Sequence, residues 1–169
     1  LVGIGLVLLL TAAGLSISEQ WLQNRRWASG TGGKDIVILL DASGSMQMQT
    51  AGKTNFARAL EEARAVIDAA DEEDAIAIYL AGAAARPVVA RPTTDRKLLV
   101  ERLGQLTPTA YGAMDVHKAL HAAVDVLGQA VNPGKRIVLI TDAQKLQWDL
   151  DDQARWNFLL DRAAQLTSR

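Results

Sequence analysis

DIVILLDASGSM, residues Asp35 to Met46, is the stretch that decides how this chain folds. Ile36 to Leu40 form an unbroken, largely β-branched apolar run, too short for an ordinary helix, which reads as a strand buried on both faces. The run ends on Asp41, and Ser43 and Ser45 follow at alternate positions of a tight turn, with Gly44 between them where a left-handed backbone is expected. Three oxygen-bearing side chains so spaced can aim at one point. Carboxylates, hydroxyls and waters are the ligands that hard divalent cations, Mg2+ above all, require.

A second segment matches the first. KRIVLITD, Lys135 to Asp142, is again an apolar strand ending on an acid. In an open parallel sheet, ligands collect at the carboxyl ends of the strands where the winding reverses. Asp41 and Asp142 meet there if their strands are neighbours.

DIVILLDASGSM followed by IVLITDA, Ile137 to Ala143, resembles the von Willebrand factor type A domain and its metal-ion-dependent adhesion site. The order of elements extends the resemblance over residues 35–169. It implies an α/β fold with a doubly wound, mostly parallel sheet and helices on both faces. It further implies Mg2+ or Mn2+ held by Ser43 and Ser45 with Asp41 and Asp142, directly or through water. An Asp or Glu carboxylate from a partner protein would complete the shell, so the implied function is binding rather than catalysis. In that family a threonine from the loop before the second long helix also joins the metal, and aligning YGAMDVHKAL puts Met114 in its place. A thioether is soft and a poor ligand for Mg2+. Thr109 or Thr107 could approach if the loop folds differently, and Asp115 could contribute through a water. The segment TDAQKLQW, Thr141 to Trp148, is similar to bacterial membrane-anchored members of the aerotolerance-regulator (Bat) type. That likeness implies partners among sibling proteins of the same family or a companion ATPase of the MoxR class.

Composition narrows the remaining classes. The chain has 169 residues, 49% hydrophobic, which suits one domain with a short extra segment. Its formal net charge is -1, without a basic block, so nucleic acid is not an expected partner. With no cysteine, disulfides, thiolate metal sites and thiol nucleophiles are excluded. The opening run LVGIGLVLLLTAAGLSIS, residues 1–18, carries no charge, and at about 1.5 Å per residue it is long enough to span a bilayer as a helix. A single-pass membrane helix is the first reading. A signal peptide with a cleavage point at Ala13 is the rival, and a buried core helix is third. Trp21, Arg25, Arg26 and Trp27 suit an interfacial anchor within residues 19–34, and Ala28 to Lys34 reads as a flexible linker. The charge pattern does not assign the side of the membrane.

Between the two acid-tipped strands, Phe56, Leu60, Ala63, Ile67 and Ala70 mark one face of a helix over Asn55 to Ala70, with the acidic run Asp71 to Asp74 as its solvated exit. Ala75 to Leu80 is the next strand, and Arg86 to Arg91 an antiparallel edge strand because of Pro87. A short helix follows over Asp95 to Leu106, capped by Thr94 or Asp95. Met114 to Val131 is a second long helix whose stripe runs from Val116 through Leu127 to Val131. Past Asp142 a loop leads to a helix over Asp152 to Thr167, striped by Trp156, Leu159, Leu160, Ala163 and Leu166. Nothing is left for the further strands that the resemblance implies on that side, so the domain is read as incomplete.

Other motifs carry less. Gly52, Lys53 and Thr54 end like a phosphate-binding loop, but Gln47 stands where the first glycine belongs. An aspartyl-phosphate enzyme would need a second aspartate where Ser43 is. His117 and His121 are one helical turn apart, yet HKALH lacks the glutamate of a metalloprotease helix, so both read as solvated. Trp148 and Trp156 read as packing residues. Two alternatives to metal-dependent binding stay open, a metal-free scaffold in a membrane assembly and a phosphotransfer enzyme.

Overall fold

In chain order the elements are β1 (Ile4–Leu10), β2 (Lys34–Asp41), a 3-10 turn (Gly44–Gln47), β3 (Gln49–Thr50), β4 (Lys53–Thr54), α1 (Asn55–Ala69), β5 (Ala75–Ala81), β6 (Ala85–Thr93), α2 (Arg96–Gly104), α3 (Val116–Gln129), β7 (Gly134–Thr141) and α4 (Gln153–Leu166). They come from a computed structural model that describes residues 32–108, 112–142, 148 and 151–166, and the backbone of residues 4–10. Five strands form one sheet in the order β1-β7-β2-β5-β6, and β3 and β4 make a small separate hairpin. β1, β7, β2 and β5 run parallel, and β6 is antiparallel to β5. The two acid-tipped strands are therefore neighbours, and the mostly parallel α/β architecture expected from the sequence is present.

Alternation along the strands divides the interior. Ile36, Ile38, Leu40, Ile76, Ile78, Leu80, Val138 and Ile140 face α1 and α2, where Phe56, Ala59, Ala63, Ile67, Leu99 and Leu103 complete a core. Val37, Leu39, Ala77, Ile137 and Leu139 face α3 and α4, meeting Val116, Leu120, Ala123, Val124, Leu127 and Leu159. Because β2 is buried on both faces, its side chains need no polar alternation, which is why it reads as a continuous apolar run. Asp95 caps α2 by accepting the Leu98 N–H at 3.0 Å, and Thr54 caps α1 through the Ala57 N–H at 3.0 Å.

Several expectations are corrected. Ile4–Leu10 form a strand paired in parallel with β7, not part of a membrane helix, and among the described residues no helix is long and apolar enough to cross a membrane. An unpunctuated apolar run has no period that selects helix over strand. The outer edge of β7 offers it a hydrogen-bonding partner. Residues 11–31, including the expected anchor, lie outside the described residues. Lys34 is no linker: it opens β2, and its N–H donates to Asp74 at 2.8 Å. Asp74, expected in a solvated run, is buried by this bond and by the Asp71 N–H at 3.0 Å. Val131 and Leu160, assigned to helix stripes, are 93% and 62% exposed, because α3 ends before the first and α4 turns the second outward.

Candidate metal site

The carboxyl ends of β2 and β7 bring the sequence candidates together. Asp41 is the last residue of β2 and fully buried, and Thr141, the last of β7, sits beside it. The Thr141 hydroxyl donates to Asp41 Oδ2 at 2.6 Å, and the Ser43 N–H donates to Oδ1 at 2.8 Å. Such short, charge-assisted bonds hold a carboxylate in one orientation. The turn after Asp41 then brings the Ser43 and Ser45 hydroxyl oxygens to 3.0 Å from each other. Gly44 achieves this as the first residue of the 3-10 turn, not through the left-handed backbone expected of it. Ser43 is buried and Ser45 half-buried, so the cluster opens on the Ser45 side.

Asp142 follows Thr141 directly and is 93% buried, being 7% exposed. Among the described residues neither of its carboxylate oxygens has a hydrogen-bond partner. Leaving a charged group buried and unpaired is costly. Burial raises the Asp41 pKa above its ordinary 3.8; hydrogen bonds from Ser43 and Thr141 pull it back, and the negative charge of Asp142 pushes it further up. The two carboxylates thus feel each other's charge, and among the described residues no cation is among the groups that shift Asp41. A divalent cation would relieve both.

The donor set fits such an ion. Among the described residues no group of three or more His, Asp or Glu side chains could hold a metal, so the two serine hydroxyls would have to supply the remaining oxygens. Oxygens from two acids and two alcohols suit a hard ion such as Mg2+ or Mn2+.

The loop before α3 is joined to the turn by a backbone hydrogen bond. The Gly44 N–H donates to the Gly112 carbonyl at 3.0 Å, and the Asp115 N–H to the Gly82 carbonyl at 2.9 Å. Met114 lies between these ties with its side chain 2% exposed, in the core formed with α3 and α4. Asp115 caps α3 by accepting the Lys118 N–H at 3.0 Å and pairs with the Lys118 ammonium at 3.1 Å. Burial pushes its pKa up, but these contacts and the charge of Arg155 outweigh it and hold the carboxyl below its ordinary range. Thr107 is exposed, and Thr109 lies outside the described residues.

Sequence reasoning missed Thr141. Its place beside Asp41 follows from the register of β2 on β7, which pairs Leu40 with Ile140 and which the sequence alone does not carry. His117 was misread. It is 2% exposed, its ring 4.3 Å from that of Trp156, which stacks at 6.4 Å on Trp148. The tryptophans are packing residues, as expected.

Comparison with known proteins agrees with this fold. Residues 36–144 match the family model described as von Willebrand factor type A domain. Among solved structures the chain is similar to BatB from Bacteroides thetaiotaomicron, with 20% identity over 56% of this chain and 46% of that one, and a TM-score of 0.51. An uncharacterized membrane spanning protein from Vibrio fischeri matches at 20% identity over 57% of this chain and 50% of that one, with a TM-score of 0.50. The adhesive tip pilin of Streptococcus agalactiae matches at 17% identity over 63% and 44%, with a TM-score of 0.52. The chain thus spans about half the length of these solved chains. No curated protein matches it.

Proposed function

Because the chain belongs to the von Willebrand factor type A domain family, we propose that it is a binding module that holds a divalent cation and recognises a carboxylate on another protein. Asp41, Ser43, Ser45 and Asp142 would hold Mg2+ or Mn2+. The observation that carries this reading is Asp142, buried with both oxygens unpartnered among the described residues beside the buried Asp41. When bound, the ion would supply two positive charges, and with one or both acids acting through water, as the resemblance implies, it would keep enough of them for an anionic oxygen from outside to be a favourable further ligand. The protein's own part is to orient. Thr141 and the Ser43 N–H fix the Asp41 carboxylate, and the Gly112 carbonyl fixes the turn.

Melting the full chain in EDTA, Mg2+ and Mn2+ tests this. A ligand at one hundred times its Kd stabilises by about 2.7 kcal/mol, a rise of about 5–10 °C for a chain of this size. Asp142→Ala is expected to abolish the rise. No rise in the unaltered protein would favour the metal-free scaffold, a reading that Met114 supports, since a buried thioether stands where the resemblance implies a threonine oxygen.

Membrane attachment is proposed through the uncharged run of residues 1–18. It is supported by that composition and by the description of the Vibrio fischeri neighbour as membrane spanning. Flotation with phosphatidylcholine vesicles tests it. The full chain should rise with the lipid, and a chain lacking residues 1–31 should stay behind; if both stay behind, the proposal fails.

A further inference from the structure

The 3-10 turn after Asp41 carries two serine and methionine pairs of the same spacing. The Met46 N–H donates to the Ser43 carbonyl at 3.1 Å, and both side chains are buried, at 1% and 3% exposure. The Met48 N–H donates to the Ser45 carbonyl at 3.0 Å, but this pair faces out, with Ser45 half-buried and Met48 61% exposed. The inner methionine belongs to the core shared with α1 and α2, and the outer one is exposed and tied through its backbone to Ser45, the half-buried serine of the cluster.

Met48 is exposed on a fixed backbone. Its N–H is tied to Ser45, and its carbonyl accepts the Asn55 N–H at 3.0 Å, where α1 begins. A single exposed apolar side chain is ordinary. Among the described residues, however, the other large exposed apolar side chains lie elsewhere: Val131 beyond the far end of α3, and Phe158 and Leu160 on α4. Met48 alone of these is hydrogen-bonded through its backbone to a proposed ligand residue, Ser45. A thioether on a flexible stem adapts to apolar partners of varied shape.

We propose that Met48 is a specificity residue of the metal site, contacting an apolar side chain next to the partner's metal-binding carboxylate, so that the preferred partner presents an exposed acidic residue flanked by an aliphatic one. The inference rests on the cation-and-carboxylate reading given above. The cation would take the acid while Met48 covers the neighbour. A glycine-flanked acid would make only the first contact.

Three blocked pentapeptides test it against the full chain in Mg2+: Gly-Leu-Glu-Leu-Gly, Gly-Gly-Glu-Gly-Gly and Gly-Leu-Gln-Leu-Gly. Affinities come from titration, and the methionine methyl resonances report the contact. The leucine-flanked glutamate peptide should bind about tenfold more tightly than the glycine-flanked one, about 1.4 kcal/mol, and should shift the Met48 methyl. The glutamine peptide should not bind. Met48→Gln should remove the preference, whereas Leu160→Gln, on an equally exposed side chain of α4, should leave it. Equal binding of the two glutamate peptides, or a preference that survives Met48→Gln, overturns the role of Met48 and leaves the metal site standing. No Mg2+-dependent binding of either glutamate peptide overturns the metal reading, and this inference with it.

Discussion

Asp41 is asked to remain ionised while fully buried, with a second acid one residue beyond its hydrogen-bonding partner Thr141. Its pKa is raised, so the folded state binds more protons than the unfolded one as pH climbs from the ordinary value of 3.8. Stability then falls as pH rises through that window, and the loss persists above the raised value. Asp41→Asn removes the buried charge and keeps oxygen and nitrogen for its neighbours. In EDTA the variant should match the unaltered protein near about pH 4 and melt higher than it by a margin that grows toward about pH 7. In Mg2+ the order should reverse, since the variant has lost a proposed ligand. Thermal melts across this range, with and without the ion, check both signs. The chemistry of this cluster was legible because every second residue after a buried run was an oxygen donor. The partner of Asp41 was not, because which hydroxyl reaches it depends on a register that composition does not carry.

At the scale of elements, the ends opposite the site are locked by groups that the sequence presented as linker and solvated acids. Asp35, 1% exposed, accepts the Lys135 ammonium at 2.8 Å and the Asn132 N–H at 2.7 Å, tying β2 to β7 where both begin. Gly33 runs so close to the next loop that a Cβ would lie 2.4 Å from the Glu73 carbonyl oxygen. Breaking a buried pair by removing one partner costs about 3–5 kcal/mol, most of it from the charge left behind. Lys135→Met should therefore lower stability by about 3 kcal/mol, and adding Asp35→Asn should recover much of the loss, as urea melts of the single and double variants would show. The long helices were legible because a period of 3.6 marks a buried face, as Phe56, Ala63 and Ile67 on α1 illustrate, and β2 because its apolar run is too short for a helix. Helix ends were less so: Val131 continues the period of α3 although the helix stops at Gln129. What an acid does at a strand start is invisible to period. Asp35 looked like a boundary residue until β7 brought Lys135 beside it.

For the whole molecule the open question of stability is the sheet's two edges. β6 is protected by Pro87 and Pro92, which remove donors, and by the exposed Arg86 and Arg91. The other edge is β1, whose sequence IGLVLLL contains neither proline nor charge. Its pairing with β7 is weakly held by the ladder itself. Each hydrogen bond nets about 0.5–1.5 kcal/mol, while ordering a residue's backbone costs about 1–2 kcal/mol, so the two roughly cancel. An apolar segment whose hydrogen bonds contribute so little can leave the sheet wherever another apolar environment competes, which reconciles a strand beside β7 with attachment to lipid. The metal site does not depend on it, because Asp41, Ser43, Ser45 and Asp142 belong to β2, β7 and the turns that follow them. A chain lacking residues 1–31 should therefore keep its Mg2+-dependent rise in melting temperature. It should also bare the outer edge of β7, a strand whose residues 137–141 are buried in the full chain. Sedimentation velocity should then show concentration-dependent association of the shortened chain and not of the full one. If the shortened chain stays monomeric and keeps its metal response, β1 does not protect that edge; if it loses the metal response, the sheet needs β1 to hold the two acids together.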